Sequence, residues 1–285
     1  MRIGVGLPNV VPGTPGKTIV EWARNAEQLG FSSLATIGRL VFPSYEELIA
    51  LTAAAAVTSK IGLLSNVTIG PTRDPVELAH EAASLDQISG GRFTLGLAVG
   101  WRPEDFNAVG KAWKGRGLRL DSDIELMQRA WRGEILPGTT KKSTVPPVNG
   151  ESVPLAFGGT AQACYDRAAK YGVGWTAGGS SPDDTRASNE AAKAAWTAAG
   201  RTGTPRLWAL SYYGAGDDAR DVAATYLTDY YGDWGGGMAA GMPADAEALK
   251  ATVKAFEATG TDEFFFNPTN SDLHQLEALA KAVLA

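Results

Sequence analysis

The sequence predicts an α/β fold, a single (β/α)8 TIM barrel over residues 1–285 with an insertion near the seventh and eighth strands. Three observations carry this. Apolar runs of strand length alternate strictly with helical segments, which makes the strands parallel with right-handed crossovers. Eight such units can be counted along the chain, a number that closes a barrel and that a doubly wound sheet would normally break. The chain has 285 residues, close to the about 250 of one barrel, and no linker divides it.

The stretch Leu85 to Trp101 writes out the repeating unit. Gly90 and Gly91 follow a helical run and can take the positive φ that closes a helix. Phe93 to Val99 is then apolar on both faces, as a strand covered on both sides must be. Gly100-Trp101-Arg102 breaks the strand, and Pro103 can occupy the first position of the next helix.

The other elements follow in order. Ile3 to Leu7 is the first strand, and a Gly/Pro-rich loop leads to a helix for which Thr18 and Glu21 have capping-box spacing, closed by Gly30. Ser33 to Ile37 is the second strand, and Ser44 with Glu47 is a second capping-box pair before an Ala-rich helix. Ile61 to Ile69 is the third strand, interrupted by Ser65 and Asn66; Asp74-Pro75 then combines an N-cap with a first-turn proline. After the fourth strand, already described, a broken helical region spans Glu104 to Trp131. Pro154 to Phe157, Trp175 to Ala177 and Arg206 to Tyr212 are strands five to seven. Asp217 to Tyr230 is helical, Tyr231 to Met242 is a Gly-rich aromatic insertion suited to a lid or an oligomer contact, and Pro243 to Thr259 is another helix. Glu263 to Asn267 is the eighth strand, and a last helix begins at Ser271.

Composition narrows the function. A net charge of -5 argues against nucleic acid or an anionic membrane as partner. The one cysteine, Cys164, excludes an intrachain disulfide and a cysteine-based metal cluster. With no signal-peptide pattern and no window of about 20 apolar residues, a cytoplasmic protein is expected. Its expected partners are a small-molecule substrate and further copies of itself.

In a barrel of this kind the active site lies at the C-terminal ends of the strands. Those ends hold Pro8 and Asn9, Gly38 and Arg39, Asn66 to Gly70, Gly100 to Arg102, Gly158 to Thr160, Gly178 to Ser180, Tyr212 and Tyr213, and Asn267. Gly158-Gly159-Thr160 and Gly178-Gly179-Ser180 are Gly-Gly-hydroxyl triplets at neighbouring strand-to-helix turns. A single triplet reads first as a tight turn; two on adjacent units favour a cradle for a phosphate. His80 and His274 fall in helices away from the mouth, and Cys164 reads as a buried filler thiol. No nucleophile elbow, zinc-protease motif or Walker loop is present. An aldolase- or isomerase-type barrel would need a lysine or a carboxylate pair at these strand ends, and none offers it. A mouth rich in glycine and aromatic residues but poor in nucleophiles suits a cofactor that brings its own reactivity.

Several segments together carry a family resemblance: Ala26-Glu27-Gln28-Leu29-Gly30-Phe31; Ala53 to Thr58 with Ser59-Lys60-Ile61-Gly62-Leu63; Pro71-Thr72-Arg73-Asp74-Pro75; Leu85 through Gly100; and Gly158-Gly159. In this order and spacing the chain resembles the luciferase-like flavin-dependent oxidoreductases, the superfamily of bacterial luciferase and the coenzyme F420-dependent reductases. The resemblance runs from Ile3 to about Gly179 and weakens beyond it.

The resemblance implies FMN or coenzyme F420, a 5-deazaflavin, at the barrel mouth, with its phosphate on Gly158, Gly159, Thr160, Gly178, Gly179 and Ser180, and with Gly100 also at the cofactor. It maps the family's non-prolyl cis peptide to Asn66-Val67, behind the flavin ring; the alternative is a trans bond with Asn66 turning the strand. It implies either a monooxygenase using reduced FMN and dioxygen, served by a separate flavin reductase, or F420-dependent hydride transfer to a small organic substrate. The alternative is a flavin-binding protein without turnover. The chain departs from the family at Gly38-Arg39, where many members have Asp-His, and at Gly172-Val173-Gly174-Trp175, where the usual motif carries an aspartate. The catalytic candidates are therefore Arg39, for a negative flavin edge or a substrate anion, with a solvent-facing charge as its plain alternative, and Trp101, for the substrate wall, with packing at the barrel rim as its equal alternative. Arg39, Arg73, Arg102, Lys111 and Lys114 offer a basic track for the acidic F420 tail. A homodimer or higher homo-oligomer is expected.

Overall fold

In the computed structural model, which describes residues 1–284, the strands close into one parallel barrel. They are β1 (Arg2–Gly6), β2 (Ser33–Thr36), β3 (Gly62–Ser65), β4 (Thr68–Ile69), β5 (Phe93–Ala98), β6 (Leu155–Gly158), β7 (Gly174–Thr176), β8 (Arg206–Tyr213) and β9 (Glu263–Pro268). β1 pairs with β2 and β9, and β3 pairs with β5, so the ring has no open edge. The predicted third strand is two pieces. β3 aligns Leu63 with Phe93, and β4 aligns Thr68 with Leu97, both on β5. Between them the Asn66–Val67 peptide is cis. The barrel thus has eight staves and one extra short strand.

The helices are α1 (Gly16–Leu29), α2 (Glu47–Ala55), α3 (Pro75–Ser89), α4 (Pro103–Ala108), α5 (Arg116–Trp131), α6 (Gln162–Tyr171), α7 (Pro182–Ala198), α8 (Ala219–Tyr231), α9 (Gly235–Gly241), α10 (Ala246–Glu257) and α11 (Leu273–Val283). None is long and apolar enough to cross a membrane.

Strand alternation sorts the side chains into two cores. Ala35, Leu64, Ala156, Trp208, Leu210 and Phe265 fill the barrel interior. Leu34, Leu63, Leu95, Trp175, Phe264 and Phe266 point outward and are buried against the helices. Away from the strand ends both faces are buried, which is why the strands read as nearly unbroken apolar runs.

Local signals set several boundaries. Asp74 caps α3 by accepting from the amides of Val76 and Glu77, and Gly30 and Gly90 close α1 and α3 in the left-handed region. Two capping boxes do not form. α1 starts at Gly16 after Pro15, ahead of Thr18, and α2 is capped by Glu46, whose carboxylate accepts from the Ile49 amide, rather than by Ser44. The helix expected from Pro243 begins at Ala246, where Asp245 caps it. The Gly-rich insertion is not loop. Gly232–Trp234 forms a 3-10 turn and Gly235–Gly241 is α9, which packs on α8 so closely that a Cβ at Gly235 would lie 2.1 Å from the Leu227 carbonyl oxygen.

Candidate functional site

The insertion lies over one side of the barrel mouth. Tyr212 from β8 and Tyr226 and Tyr230 from α8 are buried with Val10, Val11 and Met242, and Ile37, Phe42 and Tyr231 pack against them. The Tyr212 and Tyr231 hydroxyls are hydrogen-bonded at 2.8 Å. Burial first, then the crowding of neighbouring tyrosines, drives the Tyr212 and Tyr226 hydroxyls well above the usual phenol range, so they stay protonated at any physiological pH.

Two arginines pin this insertion down. Arg39 donates to the Tyr230 carbonyl at 2.6 Å and to Glu104 at 2.7 Å, with its guanidinium 5.0 Å from the ring centroids of both Phe42 and Tyr230. Arg102 donates to the same carbonyl at 3.0 Å. The Arg39 side chain is only 10% exposed, so the solvent-facing reading of this residue is overturned. Trp101 is 54% exposed and stacks on Trp234, 70% exposed, with ring centroids 6.0 Å apart and 16° between planes. The Arg102 guanidinium lies 4.2 Å from the Trp101 ring centroid.

The other side of the mouth is bare. Val67 turns its side chain toward two glycines: a Cβ at Gly96 would lie 3.2 Å, and one at Gly158 3.3 Å, from Val67 Cγ1. Asn66 accepts from the Thr176 hydroxyl at 2.9 Å, while its buried Nδ2 has no partner. The Asn267 Nδ2 is likewise buried and unpartnered. Gly100, at φ 71°, gives its carbonyl to Arg116 Nε at 2.8 Å.

The two glycine triplets differ. Gly159 adopts φ 118° and opens into α6, whose N-cap Ala161 offers no side-chain bond and whose first turn holds no acid. The Cys164 amide bonds the Ala161 carbonyl at 2.8 Å, while those of Gln162 and Ala163 make no hydrogen bond, beside exposed Thr160. Beyond Gly178-Gly179-Ser180, α7 is already served: Ser181 accepts from the Asp184 amide, Asp183 and Asp184 occupy the first turn, and Ser180 bonds Thr185 at 3.0 Å.

The five cations of the expected track are mostly engaged. Arg73 donates to Glu46, Glu47 and Glu81, and Lys111 donates to the Arg73 carbonyl. With Arg39 and Arg102 held at Tyr230, Lys114 alone makes no such contact. Arg73 and its carboxylates line a cleft of about 420 Å³ between the ends of β2 and β4. Among the described residues no cluster of His, Cys, Asp or Glu is arranged for a metal ion. Cys164 is buried, and burial raises its thiol above the usual range, as expected of a filler.

Sequence reasoning missed Glu104 and the Tyr226–Tyr230–Tyr231 cluster. The Tyr230-Tyr231 pair beside a Gly-rich stretch was the available signal, divided between the end of a helix and the start of the insertion.

A closed parallel barrel whose mouth joins bare glycine turns to an aromatic insertion defines the class, and the comparisons give the family. The chain belongs to the luciferase-like monooxygenase family, whose model matches residues 1–280. An uncharacterized protein of Mycobacterium tuberculosis (strain ATCC 25618 / H37Rv) is 29% identical over 189 residues, covering 57% of this chain. The chain spans 65% of that relative's length. An F420-dependent secondary alcohol dehydrogenase, solved with an F420-acetone adduct, superposes with a TM-score of 0.80 at 16% identity, covering 99% of this chain and 98% of the other. The oxygenating constituent of 3,6-diketocamphane monooxygenase from Pseudomonas putida, solved with FMN, superposes with a TM-score of 0.78 at 18% identity, covering 98% and 96%. At these identities the likeness of the two structures is one of fold.

Proposed function

We propose that the protein is an oxidoreductase that holds an FMN- or F420-type cofactor at the barrel mouth and acts on a small organic substrate. The observation that carries this is the Gly158-Gly159-Thr160 turn opening into the uncapped, acid-free start of α6. Bare amides and a helix N-terminus suit one phosphate group. The unpartnered Nδ2 groups of Asn66 and Asn267, buried at the same end, suit the carbonyl oxygens of a flavin-type ring. Asn66, Val67 and Gly158 would then back the ring, and Gly159 and Thr160 would hold the phosphate. Gly178, Gly179 and Ser180 would border it without being its main cradle, because Asp183 and Asp184 repel an anion at α7. Gly100 would sit at the rim.

When bound, such a cofactor supplies two-electron redox chemistry, as hydride exchange or as oxygen activation. The chain's part is to orient and to exclude water. Arg39 and Arg102 fix the insertion across the mouth, Trp101 and Trp234 wall the entrance, and of the hydrogen-bonded Tyr212 and Tyr231 hydroxyls the one that accepts from the other keeps its proton for a substrate oxygen.

Engagement of Arg39, Arg73, Arg102 and Lys111 within the chain favours the single phosphate of FMN over the acidic F420 tail. A specific observation supports the second reading. Lys114 and Arg116 stand at the start of α5 beside Gly100, and Gly115 leaves that helix without a side-chain cap. Parallel titration of the apoprotein with FMN and with F420, followed by fluorescence quenching, tests both. Saturable binding of either supports the proposal and selects the cofactor; binding of neither refutes it. For an FMN protein, a separate reductase would supply the reduced cofactor.

A further inference from the structure

At the opposite end of the barrel a second polar site is built into the floor, independent of the mouth and its cofactor. A pocket of about 250 Å³ opens there among the first residues of the strands. Its centre is Glu263, 1% exposed, already supplied with partners: Ser32 Oγ donates at 2.6 Å, Arg2 at 2.9 Å and Trp208 Nε1 at 3.1 Å. Arg206 approaches the same carboxylate only at 3.6 Å and makes no hydrogen bond to it. One buried carboxylate thus faces two guanidiniums and can satisfy one.

The remaining polar groups of the pocket are also unspent. Lys60 lines it and its ammonium has no partner among the described residues. Ser33 and Thr94, both buried pocket residues, make no side-chain hydrogen bond. Gly62 lies opposite Ser33 in the β2–β3 register, and the Ser33 hydroxyl takes the space a side chain there would fill, 2.5 Å from where its Cβ would stand. Arg92 adds positive field but no free donor, since all of its hydrogen-bonding nitrogens bond Ser89, Thr58, Ile61 and Ala55. Burial first, and then Arg2, lower the basicity of Arg206, the repulsion that an anion between the two guanidiniums would relieve.

We propose that this floor pocket is a binding site for a phosphate-type oxyanion, held by Arg206 and Lys60 with the hydroxyls of Ser33 and Thr94. A guanidinium fork matches two oxygens of such an anion, and the hydroxyls complete its shell. The ligand is inorganic phosphate or the phosphate group of a small metabolite, and the volume admits either.

The test is an amide chemical-shift titration of the whole protein with inorganic phosphate and, in parallel, with glycerol phosphate. The expected result is saturable shifts at Ser33, Gly62 and Thr94, separable from any at Gly159 and Thr160, where the proposed cofactor phosphate would bind. Arg206→Gln and Lys60→Gln should each weaken the floor response on the order of tenfold, with the mouth response unchanged. Glu263 keeps Arg2, Ser32 and Trp208 in both variants, so the barrel stays intact, as a dispersed spectrum verifies. Tighter binding of glycerol phosphate assigns the site to a metabolite, and equal binding to free phosphate. Absence of saturable floor shifts, or shifts that persist undiminished in Arg206→Gln, overturns the proposal.

Discussion

Arg39 meets Glu104 at 2.7 Å across the mouth, joining the loop after β2 to the first turn of α4, while its other terminal nitrogen holds the backbone of α8. The pair is a brace between three segments that are remote in sequence. The Arg39 Nε is buried there without a hydrogen-bond partner.

Arg39→Ala should loosen that brace. Hydrogen bonds to charged groups contribute about 1.5–3 kcal/mol, so a fall of that size in unfolding free energy is expected. Hydrogen exchange should rise selectively over residues 228–241. Loss of stability with unchanged protection there would show that Arg39 does not hold the insertion.

Gly159 and Gly178 should respond oppositely to alanine. At Gly159 the φ of 118° and a Cβ only 2.7 Å from Cys164 Sγ predict a cost of about 1–3 kcal/mol and cofactor binding weakened on the order of tenfold. At Gly178 a Cβ meets nothing within 4 Å, and Gly178→Ala should stay within about 0.5 kcal/mol of the parent. Thermal unfolding and cofactor titration of both variants check the contrast.

The stack of Trp101 on Trp234 should appear as coupling in a double-mutant cycle. Aromatic pairs contribute about 0.5–1.5 kcal/mol beyond area burial, and the exposure of both rings places the expected value at the lower end. Strictly additive Trp101→Ala and Trp234→Ala effects would mean the rings do not clasp in solution.

Glu27 gives a pH dependence of defined sign. Burial pushes its carboxyl up, but the amides of Ile61, Lys60 and Ser59 outweigh burial and hold it below the usual 4.5. Because the folded value lies below the unfolded one, its contribution is complete above about pH 4.5 and is lost as pH falls through the lowered value. The stability gap between the parent and Glu27→Gln should therefore be constant near neutrality and close under acid. A gap that widens below pH 4.5 would contradict the assignment.

What the sequence disclosed was mainly local. Asp74-Pro75 and Gly90 act within a few residues of themselves, and their roles follow from residue type alone. The capping boxes at Thr18 and Ser44 failed because Pro15 and Glu46 start their helices instead, a choice made by packing that spacing does not encode. Gly235 to Gly237 disfavour a helix, yet α9 forms against α8, where Gly235 alone permits the close approach to the Leu227 carbonyl. The fate of Arg39 was illegible for a different reason: its partners lie 65 and 191 residues away, and no periodicity links them. The asymmetry of the two glycine triplets was in principle readable, since Asp183 and Asp184 follow only the second.

The convergence of Arg39 and Arg102 on one carbonyl fixes the point at which the insertion leaves α8. Everything up to Tyr230 is locked in register to the strand ends, so a length change there would shift the tyrosine cluster that roofs the mouth. The chain after that anchor is tied down a second time, where Gly235 meets the Leu227 carbonyl and Ala239 and Met242 are buried with the tyrosines. Between the two anchors only the 3-10 turn that carries exposed Trp234 is left to change in length without disturbing the tyrosines or the barrel beneath them.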